Sequence, residues 1–175
     1  PQSQGELINP QAEGFDAAFA RTQHLLTHSR QPIFEAGFRA GGALAFADVL
    51  LPSDEGDQLG WRMVEVKSST SVKDYHRDDA AIQACVAREA GLALTAIAVA
   101  HIDSGWTYPG QGDYQGLLRE SDLSEEAFAR ADEVKGWVAQ AQAVVHCDSA
   151  PTLATGAQCF HPFECGFYNH CASLE

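Results

Sequence analysis

The chain has 175 residues, of which 45% are hydrophobic and 9% aromatic, and its formal net charge is −13 at pH 7. This composition is typical of one folded domain with a sizeable core and excludes an intrinsically disordered chain. The negative charge argues against a general nucleic-acid coating protein, because such proteins bind phosphate mainly through lysine and arginine, but it does not exclude a nuclease. No apolar run approaches the roughly 20 residues of a membrane helix and no signal peptide opens the chain, so we expect a cytoplasmic protein without membrane contact.

The two ends of the chain suggest processing. The sequence begins at Pro1 without a methionine, and we interpret it as a trimmed fragment of a longer parent protein with further domains. The last two residues, Leu174 and Glu175, are interpreted as a cloning remnant.

A first helix is predicted to begin at Asn9 and Pro10, because asparagine caps helices well and proline suits the first turn. Pro32 prevents its continuation. His24 and His28 near its end are weak site candidates, since a lone helix histidine is usually a surface residue. The apolar residues at helical spacing are Phe15, Ala18, Phe19, Leu25 and Leu26.

A first strand is predicted at residues 32–39, and Gly41 with Gly42 turns the chain into a second strand. Glu35 lies among apolar neighbours in that strand and points away from their face. It is either part of a site or a glutamate on a solvated sheet face. The opposite face carries Phe34, Ala36 and Phe38.

The second and third strands are predicted at residues 43–51 and 61–67, joined as a hairpin by a polar loop. Side chains alternate along a strand, so Glu65 and Lys67 share one face, roughly 7 Å apart. An antiparallel neighbour can bring Asp48 beside them. These charges are costly in an apolar hairpin unless they have partners such as a metal ion. The loop contains Pro52, Ser53, Asp54, Gly56, Asp57 and Gly60.

A second helix is predicted from Asp74 to Ala90, ended by Gly91, and a buried fourth strand from Leu92 to Ile102. Several basic residues surround the hairpin and this helix. They form either a local phosphate-binding patch or an ordinary solvated surface. These residues are Arg62, Lys67, Lys73, Arg77 and Arg88.

The loop from Gly105 to Gly116 contains Trp106 and Tyr108, and we interpret it as a lid beside the site. Ser124 and the two glutamates after it predict the start of a third helix that extends to Val145. The predicted order is therefore helix, three strands, helix, strand and helix. This order predicts an α/β (α+β) protein with a mixed sheet flanked by helices.

Four of the five cysteines lie beyond residue 146. Clustered cysteines in a cytosolic chain favour metal binding over disulfides, and their thiolates can hold an iron–sulfur cluster or zinc. His161 and His170 could complete a zinc site, and plain buried thiols are the third alternative. Cys85, in an apolar part of the second helix, is interpreted as a core residue. The four cysteines beyond residue 146 are Cys147, Cys159, Cys165 and Cys171.

Asp48, the hairpin and the run Glu65-Val66-Lys67 resemble the PD-(D/E)XK nuclease superfamily, with Ala47 at the position of the proline in its name. The predicted order of elements is the core order of that superfamily. The resemblance implies a restriction-endonuclease-like core over residues 1–147, followed by a tail at 148–175 that packs on the core in the same domain.

Two further features resemble the RecB-like branch. Gln83 matches the helix glutamine of that branch, although Ala87 occupies the place of its tyrosine. The Cys-x5-Cys-x5-Cys ending is similar to the tails of its iron–sulfur members, which include AddB and the CRISPR-associated exonucleases, and is most similar to a bacterial group with this three-cysteine ending. The resemblance extends from Phe15 to Cys171.

The resemblance implies a nuclease that hydrolyses phosphodiester bonds with Mg²⁺ or Mn²⁺. Its substrate would be DNA, single-stranded or end-bearing, in repair, recombination or defence. Asp48, Glu65 and the main-chain carbonyl of Val66 would hold the ion, and Lys67 would orient the attacking water or stabilise charge on the phosphate. The implied catalytic residues are Glu35, Asp48, Glu65, Lys67 and Gln83.

The resemblance also implies a structural [4Fe–4S] cluster, held by the three C-terminal cysteines and one cysteine from before the core. No cysteine precedes Cys85. The fourth ligand is therefore either Cys147 or a cysteine of a removed segment, and zinc is the alternative metal. Three other interpretations stay open: a catalytically silent nucleic-acid-binding module, a structural or regulatory zinc or iron–sulfur protein, and a disulfide-stapled secreted protein. The last is the weakest, because no signal peptide is present and the number of cysteines is odd.

Overall fold

The computed structural model describes residues 5–53 and 59–175. Six strands form one mixed sheet in which they lie in chain order. β1 is parallel to β2 and β4 is parallel to β5, whereas the other neighbours are antiparallel. The strands are β1 (Glu6–Leu7), β2 (Ile33–Ala40), β3 (Ala43–Ser53), β4 (Gly60–Lys67), β5 (Leu94–Ile102) and β6 (Leu118–Asp122).

Helices flank this sheet, so the predicted mixed α/β class is confirmed. β1 and β6 were not predicted from the sequence. The predicted hairpin loop includes Asp54, Gly56 and Asp57, which lie outside the described residues. The helices are α1 (Pro10–Glu13), α2 (Phe15–His28), α3 (Asp74–Glu89), α4 (Ser124–Ala129), α5 (Ala131–Val145) and α6 (Tyr168–Ala172), with a 3₁₀ turn at Ala157–Cys159.

Two of the predicted helices are each divided into two. The predicted cap at Asn9 is confirmed, because its Oδ1 accepts a hydrogen bond from the Ala12 N–H at 3.1 Å. Gly14 then interrupts the first helix with φ 85°, a backbone conformation that favours glycine. The third helix is redirected at Arg130, whose guanidinium binds both Asp78 and Glu133.

Helix α2 packs closely on strand β2 at Gly37. The Gly37 N–H donates to the buried Thr22 hydroxyl at 2.9 Å. A Cβ atom at Gly37 would lie 2.7 Å from the Phe46 ring and 2.9 Å from the Phe19 ring, so only glycine permits this approach. The core beneath these contacts contains Ile33, Phe38, Leu50, Met63, Ile97 and Val99.

Strands β3 and β4 separate at one end of the sheet. β3 pairs with β2 along most of its length, but its ladder with β4 runs only from Ser53 to Val49. The last residues of β4 continue to pair with β5, as far as Lys67 opposite His101. The positions just beyond the last β3–β4 pair are Asp48 and Glu65, so the predicted acidic residues lie where the two strands part.

The chain forms two compact units, residues 1–138 and residues 139–175. Within the second unit, the Cys165 N–H donates to the Cys159 carbonyl at 2.7 Å, and the Tyr168 N–H donates to the Cys165 carbonyl at 3.0 Å. Both carboxylate oxygens of Glu175 accept hydrogen bonds from Thr155. The predicted boundary at residue 147 and the packing of the tail on the core stay predictions.

In the part of the chain that the structure describes, no helix combines the length and apolar character needed to cross a bilayer. The cytoplasmic location stays a prediction.

Candidate active site

Asp48 and Glu65 are brought together where β3 and β4 part. The Asp48 N–H lies 3.4 Å from Oε1 of Glu65, and the Val66 N–H donates to Oδ2 of Asp48 at 2.7 Å. These side-chain bonds continue the connection between the strands beyond the last ladder pair. Glu65 is only 2% exposed, so its carboxylate is buried at the end of the hairpin.

The electrostatic surroundings of Glu65 disfavour its ionised form. Burial is the main cause, followed by the negative charges of Asp48 and Asp79, and together they raise the pKa of Glu65 to about 8. The positive charge of Lys67 and the hydrogen bond from Asp48 act in the opposite direction without cancelling this rise. A cation bound here would relieve the excess of negative charge.

Lys67 lies between carboxylates of the sheet and of helix α3. Its Nζ is 3.5 Å from Oε2 of Glu65 and also binds Oδ2 of Asp79. Burial by itself would lower the pKa of Lys67, but the bond to Asp79 and the nearby negative charges outweigh it, and that pKa is raised. Lys67 therefore stays protonated at neutral pH and offers a fixed positive charge.

Asp79 is a site residue that the sequence reasoning missed. It lies on α3, distant in sequence from the hairpin, and no motif pointed to it. A signal was present nonetheless: Asp79 is four residues before Gln83, so both lie on one face of the helix. That face is the one that approaches Phe46 and Lys67.

Gln83 connects α3 to β3 close to the acidic residues. Its Nε2 donates to the Phe46 carbonyl at 3.1 Å, two residues before Asp48. Its Oε1 is buried and has no hydrogen-bond partner among the described residues. Because an unpaired buried acceptor is costly, this oxygen is a candidate for contact with a bound ligand or water.

Glu35 lies on β2, directly across from Asp48 of β3. The flanking pairs Phe34 with Val49 and Ala36 with Ala47 set this register, and Glu35 itself has φ 58°. A left-handed glutamate inside a strand is strained, and such strain concentrates at functional sites. Burial and then the charge of Asp48 raise the pKa of Glu35.

Two histidines, His76 and His101, also lie near Lys67. Neither was predicted from the sequence to be a site residue. His76 is 4% exposed, and its Nδ1 accepts the Lys73 N–H at 3.2 Å. Burial, followed by the charges of Lys67 and Lys73, lowers the pKa of His76, so its ring is neutral at pH 7. His101 is the register partner of Lys67 and lies 3.3 Å from the Ser121 hydroxyl.

The carboxylates fit a magnesium or manganese ion. Among residues 5–53 and 59–175, no three His, Cys, Asp or Glu side chains already surround a common point. Mg²⁺ does not require such a cage, because it typically binds one or two carboxylates and keeps several waters. Asp48 and Glu65 supply that pair, and the buried excess of negative charge favours a divalent ion.

Three arginines among the basic residues around the hairpin already have partners. Arg62 is paired with Glu120, and Arg77 with Glu126. Arg88 lies over the Phe128 ring at 4.4 Å. The solvated-surface interpretation therefore suits these arginines better, because acidic or aromatic partners already occupy them.

The five cysteines are all free of disulfides. Cys85 is buried, as predicted for a core residue, and its Sγ lies 3.8 Å from the Ala131 carbonyl. Cys159 is also buried, whereas Cys165 and Cys147 are exposed. The Cys147 thiol, two residues beyond the end of α5, donates to the Ala143 carbonyl of that helix at 3.2 Å. No disulfide occupies any of these thiols, and the cluster stays a prediction.

No known family model matches this chain, and no curated protein matches it significantly.

Proposed function

We propose that the protein is a Mg²⁺- or Mn²⁺-dependent nuclease that hydrolyses phosphodiester bonds, with DNA as the substrate. The observation that carries the proposal is the arrangement of Lys67 against Glu65, with Asp48 bonded to both Glu65 and Val66. Two adjacent carboxylates and one charged lysine are the groups that metal-assisted phosphate chemistry needs.

The order of elements supports a restriction-endonuclease-like core. Helix α2, strands β2 to β4, helix α3 and strand β5 follow one another as the PD-(D/E)XK resemblance implies. The acidic residues and the lysine of that resemblance lie on β3 and β4, at the end of the hairpin where the β3–β4 ladder stops.

Asp48 and Glu65 would hold the ion, with the Val66 carbonyl as a further ligand. A bound ion would polarise the scissile phosphate and lower the pKa of a coordinated water. Glu65 would release its proton on ion binding, because the added positive charge favours its ionised form. Glu35, beside Asp48, would complete the acidic group.

Lys67 would act through its positive charge. A lysine that stays protonated cannot serve as a general base, so its contribution is to orient the attacking water or to stabilise negative charge that develops on the phosphate. Asp79 would hold the Nζ atom in place from helix α3. Gln83 would fix the distance between that helix and β3.

We also propose that the tail carries a structural [4Fe–4S] cluster, with zinc as the alternative metal. Cys159, Cys165 and Cys171 would be three ligands and Cys147 the fourth. Support comes from the free thiols and from the backbone bonds that join Cys159 to Cys165. The donor set is the one that iron–sulfur centres use.

The experiment for the nuclease is a cleavage assay on end-labelled single-stranded and duplex DNA, with an RNA strand alongside. We expect cleavage with Mg²⁺ or Mn²⁺ and none with EDTA. Asp48→Asn should remove the activity, whereas Asp16→Asn, at an exposed aspartate paired with Arg39, should keep it. Binding of DNA without cleavage under any metal condition would instead identify a silent binding module.

A further inference from the structure

The loop between β5 and β6 carries a cluster of three aromatic rings, one half-buried and two exposed, that the proposed catalysis does not use. Tyr108 and Tyr114 are stacked, with ring centroids 5.2 Å apart and planes at 20°. The Trp106 ring lies 5.9 Å from Tyr108 and 6.3 Å from Tyr114. Tyr108 is 48% and Tyr114 is 61% exposed, so large ring surfaces face solvent.

Hydrogen bonds hold these rings in a defined arrangement. The Trp106 Nε1–H donates to the Gln115 carbonyl at 2.9 Å, and the Gly112 N–H donates to the Tyr108 hydroxyl at 2.8 Å. The Asp103 N–H donates to the Leu117 carbonyl at 2.8 Å and closes the base of the loop. An exposed aromatic surface that is already ordered loses little entropy when a flat ligand binds.

The loop leaves the sheet beside the candidate active site. β5 runs parallel to β4, and His101 of β5 is the register partner of Lys67. The Ile102 N–H donates to the Ser69 carbonyl at 2.8 Å, which fixes the start of the loop next to the chain that follows Lys67. The loop begins at the next residue, so it rises from the same edge of the sheet as the lysine.

The charge of the protein favours stacking over phosphate contact as the means of binding. With a formal net charge of −13 and several arginines already paired, a duplex held by its phosphates would be repelled. Unpaired bases, in contrast, expose ring faces to which aromatic side chains bind without regard to sequence. One exposed cation is nearby: Arg119 lies 3.4 Å from Asp103 at the base of the loop.

We propose that Trp106, Tyr108 and Tyr114 form a stacking platform for the unpaired bases of single-stranded nucleic acid. The choice of this ligand rests on the proposed function, because the loop that carries the platform begins next to the chain that follows Lys67. The platform thereby selects single-stranded substrates and single-stranded ends over intact duplex.

The test measures binding apart from cleavage. The 175-residue protein is titrated against a fluorescent 20-mer oligothymidine in EDTA, with fluorescence anisotropy as the readout. Tyr108→Leu/Tyr114→Leu should weaken binding roughly 10-fold or more, because both stacking contacts with bases are lost. Tyr114→Phe keeps the ring and should bind like the wild type, and a blunt duplex should bind more weakly than the single strand.

A second measurement uses the unaltered protein and so does not depend on how the variant folds. A strand with the same phosphates but abasic sites in place of the bases should bind at least 10-fold more weakly than oligothymidine. Equal binding of the two strands would overturn the platform, as would wild-type affinity in the double leucine variant. Because EDTA removes the metal ion, this assay measures base stacking without cleavage. A failure of the stacking platform can therefore be distinguished from a failure of the proposed nuclease activity.

Discussion

Asp48 and Glu65 each bind the backbone of the other's strand. The Asp48 N–H lies 3.4 Å from the Glu65 carboxylate, and the Asp48 carboxylate accepts the Val66 N–H at 2.7 Å. Two side chains thus take over the connection between β3 and β4 at the point where the ladder ends. The same bonds hold Asp48 beside Glu65, whose carboxylate lies 3.5 Å from the Nζ atom of Lys67.

The first prediction concerns the lysine. Lys67→Ala should reduce metal-dependent cleavage by at least two orders of magnitude, because it removes a charge that stabilises the transition state. Mn²⁺ binding, measured by calorimetry, should persist because Asp48 and Glu65 remain. Lys135→Ala, at an exposed lysine paired with Glu89, is the matched control and should leave the cleavage rate unchanged. If Lys67→Ala cleaved DNA at the wild-type rate, Lys67 would have no role in the chemical step.

The second prediction separates the metal ligand from the lysine. Asp48→Ala should lose Mn²⁺ binding as well as cleavage, since one of two carboxylate ligands is absent. Calorimetry and the cleavage assay on the same preparation check both effects. Retained Mn²⁺ affinity in Asp48→Ala would show that the ion binds elsewhere.

The third prediction concerns Asp79, which holds Lys67 from helix α3. Asp79→Asn should lower the cleavage rate roughly 10- to 100-fold at saturating substrate, because the lysine loses its charged partner and its fixed position. The effect should be on kcat more than on KM. Asp78→Asn is the matched control on the same helix, since Asp78 binds Arg130 at 2.7 Å and does not contact the lysine.

If Asp79 had only a structural role, both aspartate variants would lower the melting temperature and neither would change kcat. A kcat equal to that of the wild type in Asp79→Asn therefore contradicts a positioning role for this residue.

The fourth prediction follows from Glu65, whose pKa rises from 4.5 to about 8 on folding. Between these pH values the folded chain keeps a proton that the unfolded chain releases, so the contribution of Glu65 to the free energy of unfolding falls as pH rises. Glu65→Gln cannot ionise, so its free energy of unfolding should not fall in this way as pH rises. At pH 8 it should be more stable than the wild type by a few kcal/mol, because each unit of pKa shift corresponds to about 1.4 kcal/mol.

Thermal melting in EDTA at pH 5 and pH 8 measures the effect. Glu164→Gln, at an exposed glutamate of the tail, is the control and should follow the wild type at both pH values. Mn²⁺ should raise the melting temperature of the wild type at pH 8 and not that of Glu65→Gln. If the difference in melting temperature between Glu65→Gln and the wild type were the same at pH 5 and at pH 8, the raised pKa of Glu65 would be contradicted.

The fifth prediction concerns the tail. Serine at Cys159, Cys165 or Cys171 should each lower the iron or zinc content and the melting temperature of anaerobically purified protein, because metal binding at such a site also stabilises the fold. Elemental analysis and thermal melting are the measurements. Cys85→Ala, at a buried core thiol, should reduce stability and leave the metal content unchanged. Unchanged metal in all three serine variants would identify ordinary thiols.

The amino-acid sequence by itself determined most of the local structure. Helix α3 was predicted to begin at Asp74 and to end before Gly91, and it does, because a glycine with φ 92° stops it. The alternation along β4 placed Glu65 and Lys67 on one face, and Lys67 Nζ does lie 3.5 Å from Glu65. Such patterns are readable because strand and helix periodicities act over neighbouring residues.

Only the tertiary structure decided which groups meet across the chain. The contact of Asp79 with Lys67, the left-handed backbone of Glu35 opposite Asp48, and the added strand β6 have no local pattern in the sequence. Each depends on how a helix or strand packs against elements distant in the chain. The raised pKa of Glu65 has the same origin, because burial and the charges of Asp48 and Asp79 act through space.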